Sequence, residues 1–153
     1  AHTLDPSPNT LSLALVLFGL AGVIGNVWAT RRIGTAGPTS NVTLSLWSMC
    51  AGMLVLAAAG ASWAGFVLGA LAWGGGVFAN NSSQQARLVA ASPALAGASI
   101  ALNTSMIYLG QAIGTSLGGA VIAGSSYSTL PVVGAVVLLA ALALSWRAER
   151  RNR

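Results

Sequence analysis

The sequence predicts an all-α membrane protein of about five transmembrane helices. Of its 153 residues, 55% are hydrophobic and only 6% are charged, where an ordinary soluble domain carries about a quarter charged residues. Apolar runs of about 20 residues, the length a helix needs to cross a hydrocarbon core of about 30 Å, follow one another along nearly the whole chain. Charge is also confined to the ends of these runs. The basic residues are all arginines, at positions 31, 32, 87, 147, 150, 151 and 153, and the acids are Asp5 and Glu149.

The first helix is expected over about 10–30, opened by the turn-like Asp5-Pro6-Ser7-Pro8-Asn9 and closed by Arg31-Arg32. Residues 34–41, rich in breakers, separate it from a second helix over about 42–60. A tight Gly60-Ala61-Ser62 connection leads to the third, over about 63–83, where Gly74-Gly75-Gly76 would favour a bend. The fourth spans about 93–123, long enough to begin before the membrane does. The fifth spans about 130–146 and leads into a basic tail at 147–153.

Arginine placement sets the expected orientation, because short loops rich in Lys and Arg stay on the cytoplasmic side. Arg31, Arg32, Arg87 and the arginine tail fall on one side of the membrane if the helices alternate, and the other side receives no basic residue. The N-terminal segment 1–9 is then external and the C-terminus cytoplasmic. An N-out chain without a signal peptide is most simply explained by further helices before it.

The same composition excludes several functions. A net charge of +5 does not mark a nucleic-acid binder, since the arginines cap apolar segments instead of lining one face among aromatics. The single Cys50 rules out an intramolecular disulfide and a cysteine metal cluster, and reads as a small buried hydrophobe. No carboxylate lies within a helix and His2 is terminal, so neither an enzyme constellation nor a cofactor or metal is expected.

Side-chain patterning divides the helices. On the fourth, Thr104, Tyr108, Gln111 and Thr115 recur at i, i+4, i+7 and i+11, with Asn103 beside them, so the four share a narrow sector. Polar groups at membrane depth must face protein or water, so the stripe either lines a solute cavity or hydrogen-bonds to another helix. Gly110, Gly114 and Gly118, with Gly119 adjacent, form a small-xxx-small ladder for close helix packing. Leu15, Gly19, Gly22 and Asn26 on the first helix, and Gly69, Trp73, Gly76 and Asn80 on the third, repeat the same spacing. Asn26, Asn80 and Asn81 are weaker cavity candidates, near helix ends where Asn also serves as a cap. The second helix, with Thr43, Ser45, Ser48 and Cys50, and the fifth, without a polar side chain from 132 to 144, suit lipid. The first, third and fourth are therefore expected to be interior and the second and fifth peripheral.

This order of features resembles the C-terminal half of the major facilitator superfamily, in particular its bacterial drug and sugar efflux branch. The resemblance covers nearly the whole chain and is most specific in Ser92-Pro93-Ala94-Leu95-Ala96-Gly97-Ala98-Ser99-Ile100-Ala101-Leu102-Asn103 and in Gly110-Gln111-Ala112-Ile113-Gly114-Thr115-Ser116-Leu117-Gly118-Gly119. The stretch Gly25-Asn26-Val27-Trp28-Ala29-Thr30-Arg31-Arg32-Ile33-Gly34 is similar to the second copy of the family's cytoplasmic gating motif, Gly-x-x-x-Asp-Arg-x-Gly, with Thr30 where that motif has Asp. Arg31 and Arg32, with Arg87, then stand as gating or as simple topology residues. The resemblance implies helices eight to twelve of a twelve-helix transporter in a bacterial inner membrane, exporting a small solute driven by the proton gradient, with a missing N-terminal half as partner. The alternatives are a small oligomeric membrane protein, a membrane scaffold, or a non-functional truncated transporter.

Overall fold

The computed structural model describes residues 8–151 and consists almost entirely of helix. Its elements in order are α1 (Pro8–Ala36), α2 (Pro38–Ala59), α3 (Trp63–Ala91), a 3-10 turn at Pro93–Leu95, α4 (Ala96–Gly124), a second 3-10 turn at Tyr127–Thr129, and α5 (Leu130–Arg151). At 1.5 Å per residue the 29-residue helices are about 44 Å long and the 22-residue helices about 33 Å. All five exceed the hydrocarbon thickness.

Several helices are longer than the apolar runs alone suggest. The expected breaker stretch 34–41 contracts to one residue, Gly37, between Ala36 and Pro38. Gly37 has φ 78° and ψ 157°, a region open essentially to glycine alone, and its N–H donates to the Ile33 carbonyl at 3.1 Å. Pro38 follows as the first residue of α2, where its missing N–H costs nothing. At the other end of α2 the Ser62 hydroxyl caps α3 by accepting from the Gly65 N–H at 3.1 Å. The expected basic tail continues α5 as helix through Arg151. Segment 1–7, with Asp5, and residues 152–153 lie outside the described residues.

Among the described residues, four helical stretches are long and apolar enough to cross a membrane: Pro8–Ala36, Pro38–Ala59, Pro93–Gly124 and Tyr127–Arg150. Helix α3 falls short on apolarity because Asn80 to Gln85 are all polar. Its packing nevertheless places it among the others. Along α2, Asn41 meets Ser83, Ser45 meets Asn80 and Ser48 meets Ala72, so α2 and α3 are antiparallel. Along α1, Phe18 meets Gly74, Gly22 meets Phe78 and Asn26 meets Ser82, so α1 and α3 are parallel.

The core lies around α2. Val42, Leu46 and Cys50 pack with Ala135 and Leu138 of α5, flanked by Met49, Met53, Ala141 and Leu142. Asn41, Ser45 and Gly52 of α2 are also buried. Within the described residues the division differs from the expected one, since α2 is central and α4 buries no residue. Small residues explain it, since the Ser, Cys and Gly face of α2 lets α3 and α5 approach on two sides.

The glycines of α3 act as a contact surface within an unbroken helix. Gly75 abuts Gly25 of α1 so closely that a Cβ on Gly25 would collide with the Gly75 carbonyl. The Phe18 ring covers Gly74, and Phe78 covers Gly22. Phe18 also packs at 5.2 Å from Trp73 and 6.0 Å from Phe78, centroid to centroid, a range in which aromatic pairs attract.

Candidate polar sites in the helix bundle

Two groups of polar side chains lie in the membrane-spanning part, and they are built differently. The first joins α1, α2 and α3 near the ends that carry the arginines. Asn41, fully buried, donates from Nδ2 to the Ala29 carbonyl at 2.9 Å and to the Ser83 hydroxyl at 3.1 Å. Ser83 donates onward to the Ala79 carbonyl at 2.6 Å. Ser45 Oγ lies 2.8 Å from the Val42 carbonyl and 3.1 Å from Asn80 Oδ1. The Ser82 hydroxyl donates to Asn26 Oδ1, tying α3 to α1. This network therefore uses Asn26 and Asn80 for interhelical hydrogen bonds, and Asn81 accepts from Gln85 on its own helix at 3.3 Å.

Asn41 was hidden by the expectation of a loop at 34–41. With α2 starting at Pro38, Asn41, Ser45 and Ser48 fall at i, i+4 and i+7, the same spacing that marked the other stripes. The Gly37-Pro38 pair was the available signal, because glycine past one helix end and proline at the first position of the next is a standard junction.

The second group is the α4 stripe. Thr104, Tyr108, Gln111 and Thr115 are all exposed, Tyr108 at 66%. They are not equivalent. Thr104 donates to the Ile100 carbonyl at 3.0 Å and Thr115 to the Gln111 carbonyl at 2.8 Å. Such return bonds to the preceding turn use up the hydroxyl proton. Ser105 and Ser116 do the same, each at 3.0 Å. Among the described residues the side chains of Tyr108 and Gln111 make no hydrogen bond, and the half-buried Asn103 has an enclosed Nδ2 without a partner. Among the described residues no hydrogen bond links this stripe to the α1–α3 network.

The glycine ladder of α4 is equally unengaged. A Cβ on Gly110, Gly114 or Gly119 would meet nothing within 4 Å, and one on Gly118 would come to 3.7 Å from Leu130 Cδ2.

Arg32, Arg87 and Arg150 lie towards one end of the bundle. Arg87 Nη1 donates to the Ser145 hydroxyl at 3.0 Å, joining α3 to α5. Pro38, Thr39, Arg87 and Glu149 line one cavity of about 810 Å³, so the start of α2 and the ends of α3 and α5 share this face. Arg150 stacks over Trp146 at 3.6 Å, and Arg32 over Trp28 at 5.5 Å. Arg31 is exposed.

The chain is similar to named transporters. It is 32% identical over 149 residues to the inner membrane transport protein YdhP of Escherichia coli (strain K12), covering 95% of this chain and 38% of that protein. The protein of the same name in Escherichia coli O157:H7 matches at the same identity and coverage. The uncharacterized MFS-type transporter YbcL of Bacillus subtilis (strain 168) is 22% identical over 135 residues, which is 88% of this chain and 35% of the relative. The chain thus spans less than two fifths of the length of these relatives. No family model and no solved structure matches it.

Proposed function

We propose that this chain is the C-terminal part of a major facilitator transporter of the efflux branch, and that the α4 stripe faces the solute pathway of the whole protein. The observation that carries this is the state of Tyr108 and Gln111. They sit near the middle of a 29-residue apolar helix, exposed and without hydrogen bonds among the described residues. An amide at that depth is unfavourable against lipid, so it is there to meet water, solute or protein. Midplane polar groups on facing helix bundles are where transporters of this architecture hold their solute. The printed names of the relatives and their greater length support the same reading.

The stripe suits a neutral or amphipathic small molecule, because it offers a phenol and an amide and no charge. Proton coupling would need an ionisable carrier within the membrane. The acids of this chain are Asp5 and Glu149, near its two ends, so the carrier is assigned to the other half. The arginine end is taken as cytoplasmic by the positive-inside rule, with the protein in a bacterial inner membrane. The role is transport, with lipid, a solute and the N-terminal half as partners, and no catalysis.

The test is efflux by the longer polypeptide carrying Tyr108→Leu together with Gln111→Leu. Loss of efflux at a normal membrane level is expected. Unchanged efflux would remove α4 from the pathway.

A further inference from the structure

Beside the α1–α3 crossing lies a cleft of about 550 Å³ between α1 and α2, with Ile24 and Trp28 on one wall, Leu44 and Ser48 on the other, and Gly75 and Gly76 among the α3 residues that line it. We propose that this cleft binds an anionic phospholipid, with one acyl chain lying between α1 and α2 and the phosphate held at Arg32. The inference rests on the membrane fold alone and is independent of what the α4 stripe does.

The chemistry of the walls selects an apolar occupant. Ser48 donates to the Ala72 carbonyl at 2.9 Å, and the single proton of Ser45 is shared between the Val42 carbonyl at 2.8 Å and Asn80 Oδ1 at 3.1 Å. Both hydroxyl protons are spent, so apart from the Trp28 indole at the mouth the walls offer a polar solute little to replace its hydration. A hydrocarbon chain loses nothing on entering.

Depth selects a lipid. The α1 wall runs from Ala21 to Trp28, and Ala21 lies ten residues from Arg31. At 1.5 Å per residue that is about 15 Å, half of a hydrocarbon core of about 30 Å. The cleft therefore reaches from the interface on the arginine side to about the midplane, which is the depth of one leaflet.

The mouth selects the headgroup. Trp28 lines the cleft, and the Arg32 guanidinium stands 5.5 Å from the centre of its ring. Arg32 has an enclosed Nε without a hydrogen-bond partner, and among the described residues it forms no ion pair. A guanidinium held at the interface by an indole, beside a second arginine at 31, matches a phosphate by charge.

The test uses the polypeptide in its own membrane, with a photoreactive benzoylphenylalanine in place of Leu44, irradiated and read by mass spectrometry. The expected product is an adduct with phosphatidylglycerol or cardiolipin, enriched over phosphatidylethanolamine relative to bulk membrane. Arg32→Gln is expected to cut that enrichment by about fivefold, in line with the effect of one basic residue at an anionic surface. Ile24→Trp, at an exposed position on the cleft wall, is expected to fill it and lower all lipid adducts. Circular dichroism of both variants reports whether they fold. A crosslink to polypeptide, from the same chain or a second copy, would overturn the proposal. So would lipid adducts whose headgroup composition matches the bulk membrane and ignores Arg32→Gln.

Discussion

Helices α1 and α3 on one side and α4 on the other carry the same two devices, interior glycines and a polar stripe, and use them differently. At the α1–α3 crossing Gly25 meets Gly75, Gly22 and Gly74 receive aromatic rings, and Asn26 is hydrogen-bonded to Ser82. On α4, Gly110, Gly114 and Gly119 meet nothing, and Tyr108 and Gln111 bond to nothing among the described residues. The first region finds its glycine contacts and the Asn26 bond within the chain. The second has the composition of an interface without a counterpart among the described residues, and it teaches that a stripe legible in sequence names a function only when its partner is known.

The largest expected effect that would break this contrast is at the glycines. Gly25→Leu should push α1 off α3 and cost about 3 kcal/mol or more, since the obstacle is backbone and cannot yield. Gly114→Leu should leave the thermal stability of this chain within about 0.5 kcal/mol, because the added side chain has open space. Melting of the two variants in detergent compares them directly. In the longer polypeptide Gly114→Leu should instead impair assembly or transport, if α4 packs there.

A second contrast lies within the stripe. Tyr108→Phe and Gln111→Leu should each lower efflux by about tenfold, the factor that about 1.4 kcal/mol gives, since these groups have bonding capacity to offer. Thr104→Val and Thr115→Val should change it by less than about twofold, because both hydroxyl protons already serve the backbone. Equal losses at all four positions would contradict the division.

A smaller effect is expected in the buried network. Asn41→Leu removes two hydrogen bonds between helices, and such bonds are worth on the order of 1 kcal/mol each in a membrane. Asn81→Leu removes only a bond to its own helix and should be close to neutral. Denaturation of the two variants gives the comparison.

These differences also explain what the sequence could reveal. Four of the five helices were legible as spans from apolar length, which reports the bilayer and little else, while α3 falls short of it among the described residues. The junction at Gly37 and Pro38 was misjudged as a loop, since local breakers say where a helix can stop but not that the next starts at once. That error concealed Asn41. Helix α2 looked lipid-facing because its polar residues are few and small, yet small residues are what close packing uses, and Ser45, Cys50 and Gly52 are buried. The stripe on α4 was legible as a face, while the split between spent threonines and unspent Tyr108 and Gln111 depends on rotamers that spacing does not encode.

The central claim is that α4 faces an aqueous pathway, and thiol accessibility tests it most directly. Cys50 is buried and is the only cysteine of these 153 residues, so the background is the longer polypeptide carrying Cys50→Ala and with every cysteine outside this segment replaced as well. Gln111→Cys and Val136→Cys are then introduced separately, the latter at an exposed apolar position on α5. A membrane-impermeant maleimide should label Gln111→Cys and leave Val136→Cys unmodified, because only a hydrated thiol ionises and reacts. If both remain unlabelled in every transport condition, α4 faces lipid or protein and the account is wrong.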